Sequence, residues 1–334
     1  MLNSSTPRLI DRFGRTVDYL RISITDRCDF RCIYCMSEDM VFVPRSDILS
    51  LEEIARVCRA FVKLGVDKIR VTGGEPLIRR GAVELLHELG QISGLNELVL
   101  TTNGSRLRAT ALALRAAGVK RINVSLDSLD PEKFRQLTRT GDLAVVLDGI
   151  EAALEAGFDR IKINAVILKN RNHEEAPRLL AYAIAKGMDL SFIEEMPLGR
   201  VEEHDRAEEY YPSDLIRRDL SEHYRLLPTE DSTGGPSRYW RVEGTHTRVG
   251  FISPHSHNFC GTCNRVRVTA EGRLLLCLGN EHSIDLKTLL RSHPDDETAL
   301  QSALIESMAI KPERHQFDLT VAPVIFRHMS VTGG

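Results

Sequence analysis

Residues 67–104 read DKIRVTGGEPLIRRGAVELLHELGQISGLNELVLTTNG. The stretch opens with a strand-like run in which Ile69 and Val71 alternate with Lys68 and Arg70, the period-2 pattern of an extended chain. An amphipathic, helix-like run over about 79–90 follows, and then a second strand-like run, LNELVLTTNG. A helix between two strands joins them as a parallel pair, because a parallel connection needs a long crossover. The same unit recurs on both sides. Strand-like runs are YLRISIT, DKIRVTGG, LNELVLTTNG, VKRINVSLDS, DRIKINAVIL and MDLSFIEEM. Helix-like runs lie near 51–64, 79–90, 106–117, 131–155 (broken near Thr140–Gly141) and 173–186. Gly65, Gly118, Gly157 and Gly187 close four of them, as residues that accept positive φ do after a helix end. Strict alternation predicts an α/β protein. With no nucleotide fingerprint after the first strand, a partial (β/α)6 TIM-type barrel is expected over a dinucleotide-binding sheet. Such an arc leaves a lateral opening.

After Pro197 the pattern changes. GRVEEHDRAEEYYPSDL is charged and loop-like, and YRLLPT, SRYWRVEG, TRVGFIS, RVRVTA and RLLLCLG read as short strands. Helices are expected near 285–291 and 296–309. The division is therefore 1–197 for the barrel and 198–334 for a C-terminal α+β region docked on it and covering the opening.

The 334 residues are 42% apolar and 27% charged, ordinary for a chain that buries a core. A net charge of −3 and the lack of a basic-aromatic patch argue against nucleic acid as a partner. MLNSSTPRLIDRFGR has no signal-peptide core, and no apolar run approaches the ~18 residues of a membrane span. A cytoplasmic setting with reduced thiols is expected. Seven cysteines there point to metal or redox chemistry. Six fall into two groups: Cys28, Cys32, Cys35 and Cys260, Cys263, Cys277. Cys58 sits on a helical apolar stripe with Ile54, Val57, Phe61 and Leu64, as a packing residue.

The first group follows the first strand, where the loops of a parallel barrel carry chemistry. Three close thiolates suit an iron–sulfur cluster or zinc. A structural zinc site wants four ligands and this loop has no histidine, whereas three thiolates on a four-iron cluster leave one iron open. On spacing alone the second group reads first as a zinc knuckle, with His255, His257 or His282 as fourth ligand.

CxxxCxxC with Tyr34 before the last cysteine, together with TGGEP at Thr72–Pro76, resembles the radical S-adenosylmethionine (radical SAM) superfamily. The resemblance narrows with DYLRISITDRCDFRCIYCM, IRVTGGEPLIRR, TTNG, VSLDSLD, KINAVILK, FIEEMPLG, FCGTCNRVRVTAEGRLLLCL and the closing Gly-Gly pair. In order from about Asp18 to Gly334, these are similar to the GTP 3′,8-cyclase family of molybdenum cofactor biosynthesis. Met36-Ser37 stands where that family has Met-Pro, and Thr332 is more polar than the family's residue there.

The resemblance implies a carbon–carbon lyase with two [4Fe-4S] clusters, one on each cysteine group. The first cluster would reduce S-adenosylmethionine. The resulting 5′-deoxyadenosyl radical would take the ribose C3′ hydrogen of GTP, C3′ would then bond to guanine C8, and an electron and a proton would complete the product. The second cluster's free iron would meet the guanine. Positions matching Arg21, Arg70, Thr101, Lys162 and Arg265 to Arg267 (with Val266) would touch GTP. Alternation adds Lys68, since buried strand faces carrying several cations suit a polyphosphate. Positions matching Tyr34, Gly74, Ser125 and Met196 would touch S-adenosylmethionine, with Glu75 on its ammonium group. Gly333 and Gly334 would reach into the active site. An electron donor such as flavodoxin or ferredoxin, a homodimer, and transfer of the product to cyclic pyranopterin monophosphate synthase are also implied.

Overall fold

The computed structural model describes residues 8–199, 201, 205–319 and 325–334. Parts of two sequence readings, the first seven residues and part of the charged run after Gly199, lie outside them. The N-terminal half alternates as expected: β1 (Tyr19–Ser23), α1 (Leu51–Lys63), β2 (Lys68–Thr72), α2 (Ala82–Gly90), β3 (Glu97–Thr102), α3 (Leu107–Ala116), β4 (Arg121–Ser125), α4 (Pro131–Thr138), α5 (Leu143–Glu155), β5 (Arg160–Val166), α6 (Ala176–Ala185) and β6 (Asp189–Ile193). Then come α7 (Ser213–Ser221), β7 (Leu226–Pro228), β8 (Arg238–Val242), β9 (Arg248–Ile252), β10 (Arg265–Val268), β11 (Arg273–Leu275), β12 (Ser283–Asp285), α8 (Leu286–Ser292), α9 (Glu297–Ser307) and α10 (Met329–Thr332).

Local chemistry sets the helix ends. Ser50 and Glu53 form a reciprocal capping box at the start of α1, which fixes two otherwise unpaired N–H groups. Gly65, Gly118, Gly157 and Gly187 follow helices at φ of 90°, 89°, 69° and 64°. The expected break near Thr140–Gly141 separates α4 from α5. Helix α2 starts later than expected, because Pro76–Ile78 makes a tight turn of its own and Gly81 precedes the helix in a left-handed conformation.

The sheet order is β12-β11-β10-β1-β2-β3-β4-β5-β6-β9-β8-β7. Its ends do not pair with each other, so the barrel is open. The parallel arc is wider than the six strands expected: β10 pairs parallel with β1, and β9 pairs parallel with β6. The C-terminal half thus extends both edges of the arc, satisfying backbone groups that β1 and β6 would otherwise leave open.

Alternation divides each strand. Leu20, Ile22, Ile69, Val71, Leu98, Leu100, Ile122, Val124, Ile163, Leu190 and Phe192 join one apolar core beneath the helices. The opposite face carries the polar residues. Arg21 is in register with Arg70 on one side and Arg267 on the other; further round, Thr101 faces Asn123, which faces Lys162. A helix-packed barrel whose inner face is this polar binds something polar inside. Among the described residues, no helix is long and apolar enough to cross a membrane.

Candidate active site

All six grouped cysteines line one cavity that runs through the arc, with Cys28, Cys32 and Cys35 at the carboxyl end of β1 and Cys260, Cys263 and Cys277 toward the amino end of β10. Cys28, Cys32 and Cys35 lie in the loop after β1. Cys260 and Cys263 bound a single turn before β10, and Cys277 follows β11.

The two trios sit in different fields. Burial pushes the Cys28 and Cys32 thiols far up and Cys35 up to about 12, and neighbouring carboxylates add to the effect. Such thiolates need a strong local cation to exist. The Phe30 N–H and the Asn103 side-chain amide approach the Cys28 sulfur at 3.4 and 3.7 Å. In the second trio burial raises Cys277, but at Cys263 Arg265 and Lys311 outweigh burial and bring the thiol down to about 7. Neither His255 nor His257 turns to this trio. The His255 ring pairs with the Glu195 carbonyl at 2.8 Å and the His257 ring with Asp214 at 2.9 Å.

The loop after β2 is clamped to the cysteine loop. The Gly74 N–H donates to the Thr25 carbonyl at 2.7 Å, and the Glu75 N–H to the Arg27 carbonyl at 2.8 Å. A Cβ on Gly74 would lie 2.6 Å from the Arg27 carbonyl carbon, so only glycine fits. Gly74, Tyr34, Ser125 and Met196 all line the cavity. The Tyr34 hydroxyl donates to Asp127 at 2.6 Å, and burial raises the Asp127 carboxyl to about 6. Glu75 is placed differently. Its carboxylate is fully buried beside the cavity wall, accepting from the Leu77 and Asn103 N–H groups and the Thr102 hydroxyl at 2.9, 2.6 and 2.9 Å. Burial nonetheless raises it to about 7.

The cations divide into two layers. Arg21, Arg265 and Arg267 line the cavity with Thr101. Burial and mutual repulsion pull Arg21 well down and Arg267 down to about 10. Arg21 Nε and Arg265 Nη1 are buried without a hydrogen-bond partner, as is Asn164 Oδ1 on the same wall. Lys68, Arg70 and Lys162 lie behind this layer. Arg70 donates to the Tyr19 hydroxyl and, at 2.9 Å, to Thr101. Lys68 pairs with Glu97 at 2.7 Å, and Lys162 approaches the Tyr239 hydroxyl at 3.4 Å. Burial opposes ionisation of Tyr19, but Arg70, Arg21 and Lys68 overcome it and lower the phenol to about 7. Val266 borders the cavity, yet its side chain belongs to the apolar core.

Residues 329–334 enter from above. Arg21 and the Thr72 hydroxyl donate to the backbone oxygen of Gly334, the latter at 3.0 Å, and Arg267 donates to that of Gly333. Gly333 has φ 77°, and a Cβ there would run into the Thr72 methyl group.

Sequence reasoning did not single out two buried cations behind the second trio. Arg15 donates to the carbonyls of Cys260, Glu313 and Pro312 at 2.8, 2.7 and 2.7 Å. Lys311 reaches toward Cys263. Nothing in the local pattern around either residue marks it.

These residues fit the groups that the sequence suggests. The donors are soft thiols in two sets of three, and buried, unpartnered guanidinium atoms face the space between them, as an anionic guest requires.

Two family models match the chain. Residues 22–183 match the family model described as Radical SAM superfamily, and residues 188–317 the one described as Molybdenum Cofactor Synthesis C. A Saccharophagus degradans protein named GTP 3′,8-cyclase is 59% identical over 326 residues, 98% of each chain. One of the same name from Marinobacter nauticus is 58% identical over 98% of this chain and 99% of its own. Among solved structures, Streptococcus suis SuiB bound to S-adenosylmethionine superposes with a TM-score of 0.62 at 16% identity, over 88% of this chain and 69% of that one. At that identity the likeness is one of fold.

Proposed function

The chain belongs to the GTP 3′,8-cyclase family of the radical SAM superfamily, and from that premise we propose how this cavity is shared between S-adenosylmethionine and GTP. The reaction converts GTP to (8S)-3′,8-cyclo-7,8-dihydroguanosine 5′-triphosphate, the first step of molybdenum cofactor biosynthesis. When bound, a [4Fe-4S] cluster and S-adenosylmethionine supply the 5′-deoxyadenosyl radical that removes hydrogen from ribose C3′.

Cys28, Cys32 and Cys35 hold that cluster. Tyr34, Gly74, Ser125 and Met196 form the wall for S-adenosylmethionine. Gly74 lets the backbone approach the guest closely. Glu75 fixes the loop after β2, and its carboxylate, beside the cavity wall, is the partner for the ammonium group.

Arg21, Arg265 and Arg267, with Thr101, bind the triphosphate. Their unpartnered guanidinium atoms and their mutual repulsion are both relieved by an anion. Lys68, Arg70 and Lys162 supply charge from the layer behind, and Val266 contributes backbone. Gly333 and Gly334 close the space over Arg21 and Arg267, helping to exclude water. Cys260, Cys263 and Cys277 hold a second [4Fe-4S] cluster that meets the guanine. On this reading residues 1–197 are the S-adenosylmethionine half and 198–334 the base-recognition half. A cytoplasmic homodimer, reduced by a flavodoxin or ferredoxin and handing product to cyclic pyranopterin monophosphate synthase, completes the proposal.

The observation that carries this reading is that both cysteine trios and the three arginines line the same cavity. The test is anaerobic reconstitution followed by a single assay with GTP, S-adenosylmethionine and reductant. About eight irons per chain with matching sulfide are expected, together with 5′-deoxyadenosine and an isomer of GTP by mass spectrometry. Iron near half that level, or deoxyadenosine formed at the same rate without GTP, counts against it.

A further inference from the structure

Lys311 is 1% exposed, among the most deeply buried charged side chains in the molecule. A bare ammonium group is costly in such a place unless every donor is used. Its Nζ donates to the Leu276 carbonyl at 2.6 Å, to the Arg265 carbonyl at 3.0 Å, and toward the Cys263 sulfur at 3.7 Å. Leu276 precedes Cys277, and Arg265 lies two residues after Cys263. One ammonium group therefore ties together the two backbone segments that carry Cys263 and Cys277, and spends its third donor on a ligand sulfur. Arg15 braces the remaining member, Cys260, through its carbonyl at 2.8 Å. In the first trio Arg31 likewise braces Cys28 through its carbonyl, at 2.6 Å, but the Cys28 sulfur receives the uncharged donors of the Phe30 N–H and the Asn103 amide.

We propose that Lys311 is a positioning residue that tunes the second iron–sulfur centre, donating a charge-assisted hydrogen bond to the Cys263 sulfur and so raising that centre's reduction potential above that of the first. The inference rests on the two-cluster reading. A fixed cation beside a cluster stabilises its reduced, more negative form, and hydrogen bonds to the ligand sulfurs act in the same direction. The asymmetry suits the division of labour. The first centre must be a strong reductant, while the second has only to hold a base.

The test compares wild type, Lys311→Gln and Lys311→Arg after anaerobic reconstitution, by iron count and by redox titration followed by electron paramagnetic resonance. Gln keeps a donor without charge; Arg keeps the charge. In Gln the second centre should become at least tenfold harder to reduce at a given potential, a shift of about 59 mV for one electron. In Arg it should stay within that margin, and the first centre should not move in either variant. Selective loss of the second centre in Gln but not in Arg also supports the proposal. Equal potentials in all three proteins overturn it, as does loss of the second centre in both variants, which assigns Lys311 to packing alone. If wild type itself holds only about four irons, the two-cluster reading fails first and the role of Lys311 falls with it.

Discussion

Arg21 and Arg267 are register partners on adjacent parallel strands, and both guanidinium groups donate to the backbone of the Gly333-Gly334 pair. These two like charges, side by side, are held by backbone oxygens, and on the proposed reading the triphosphate of GTP engages both.

Arg267→Ala should therefore weaken GTP binding by about 1.5–3 kcal/mol, roughly 10- to 100-fold, the usual cost of losing a hydrogen bond to a charged group. Equilibrium binding of GTP to the reconstituted protein measures this, with iron content as the control. Unchanged affinity would remove Arg267 from the triphosphate site.

Gly74→Ala should damage the first cysteine loop. The added methyl meets the Arg27 backbone, one residue before Cys28, and backbone cannot swing aside. The expected strain is about 1–3 kcal/mol. Reconstituted iron should fall toward half, and cleavage of S-adenosylmethionine should be lost. Full iron with normal cleavage contradicts the tight approach.

Gly333→Ala should dislodge residues 329–334, since it combines positive φ with a clash against Thr72. Thr72→Ser removes the clashing methyl and keeps the hydroxyl, so the double variant should recover part of the activity. Hydrogen exchange at residues 329–334 reports the displacement directly. Equal exchange in wild type and Gly333→Ala excludes it.

The buried Asp127 carboxyl, raised from 3.8 to about 6, gives a pH test. The folded chain holds this proton more tightly than the unfolded chain does. Stability from this group is thus fully present below about pH 4 and lost as pH rises through about 6. Asp127→Asn stays neutral and can still pair with Tyr34 and the Val166 N–H, the two partners of the carboxylate. Relative to wild type, the variant should gain on the order of 3 kcal/mol between pH 4 and pH 7. Denaturant midpoints of the iron-free protein at both pH values measure the gain. A gap independent of pH means that Asp127 titrates normally.

Much of this arrangement was legible in the chain because it rests on local rules. Strand alternation put Arg21, Arg70 and Lys162 on an inner face, glycines marked four helix ends, and cysteine spacing marked two groups of thiols that the fold brings to one cavity. What stayed hidden depends on distant partners. Arg21 and Arg70 share a row, yet only Arg21 reaches the cavity, because Tyr19 and Thr101 engage Arg70 first. The three donors that already hold the Glu75 carboxylate are likewise set by the fold, not by local pattern. Lys311 lies 48 residues from Cys263 in a segment with no motif. The parallel pairing of β9 and β10 was equally hidden, since short strands among turns read as hairpins.

That pairing has a consequence for how the molecule assembles. During synthesis β1 to β6 emerge first, with both outer strands bare and prone to pair with other chains. They stay so until more than fifty further residues have been added and β9 and β10 arrive from opposite sides. Contacts this remote in sequence form slowly. Closure of the two flanks is therefore the step expected to limit the rate of folding.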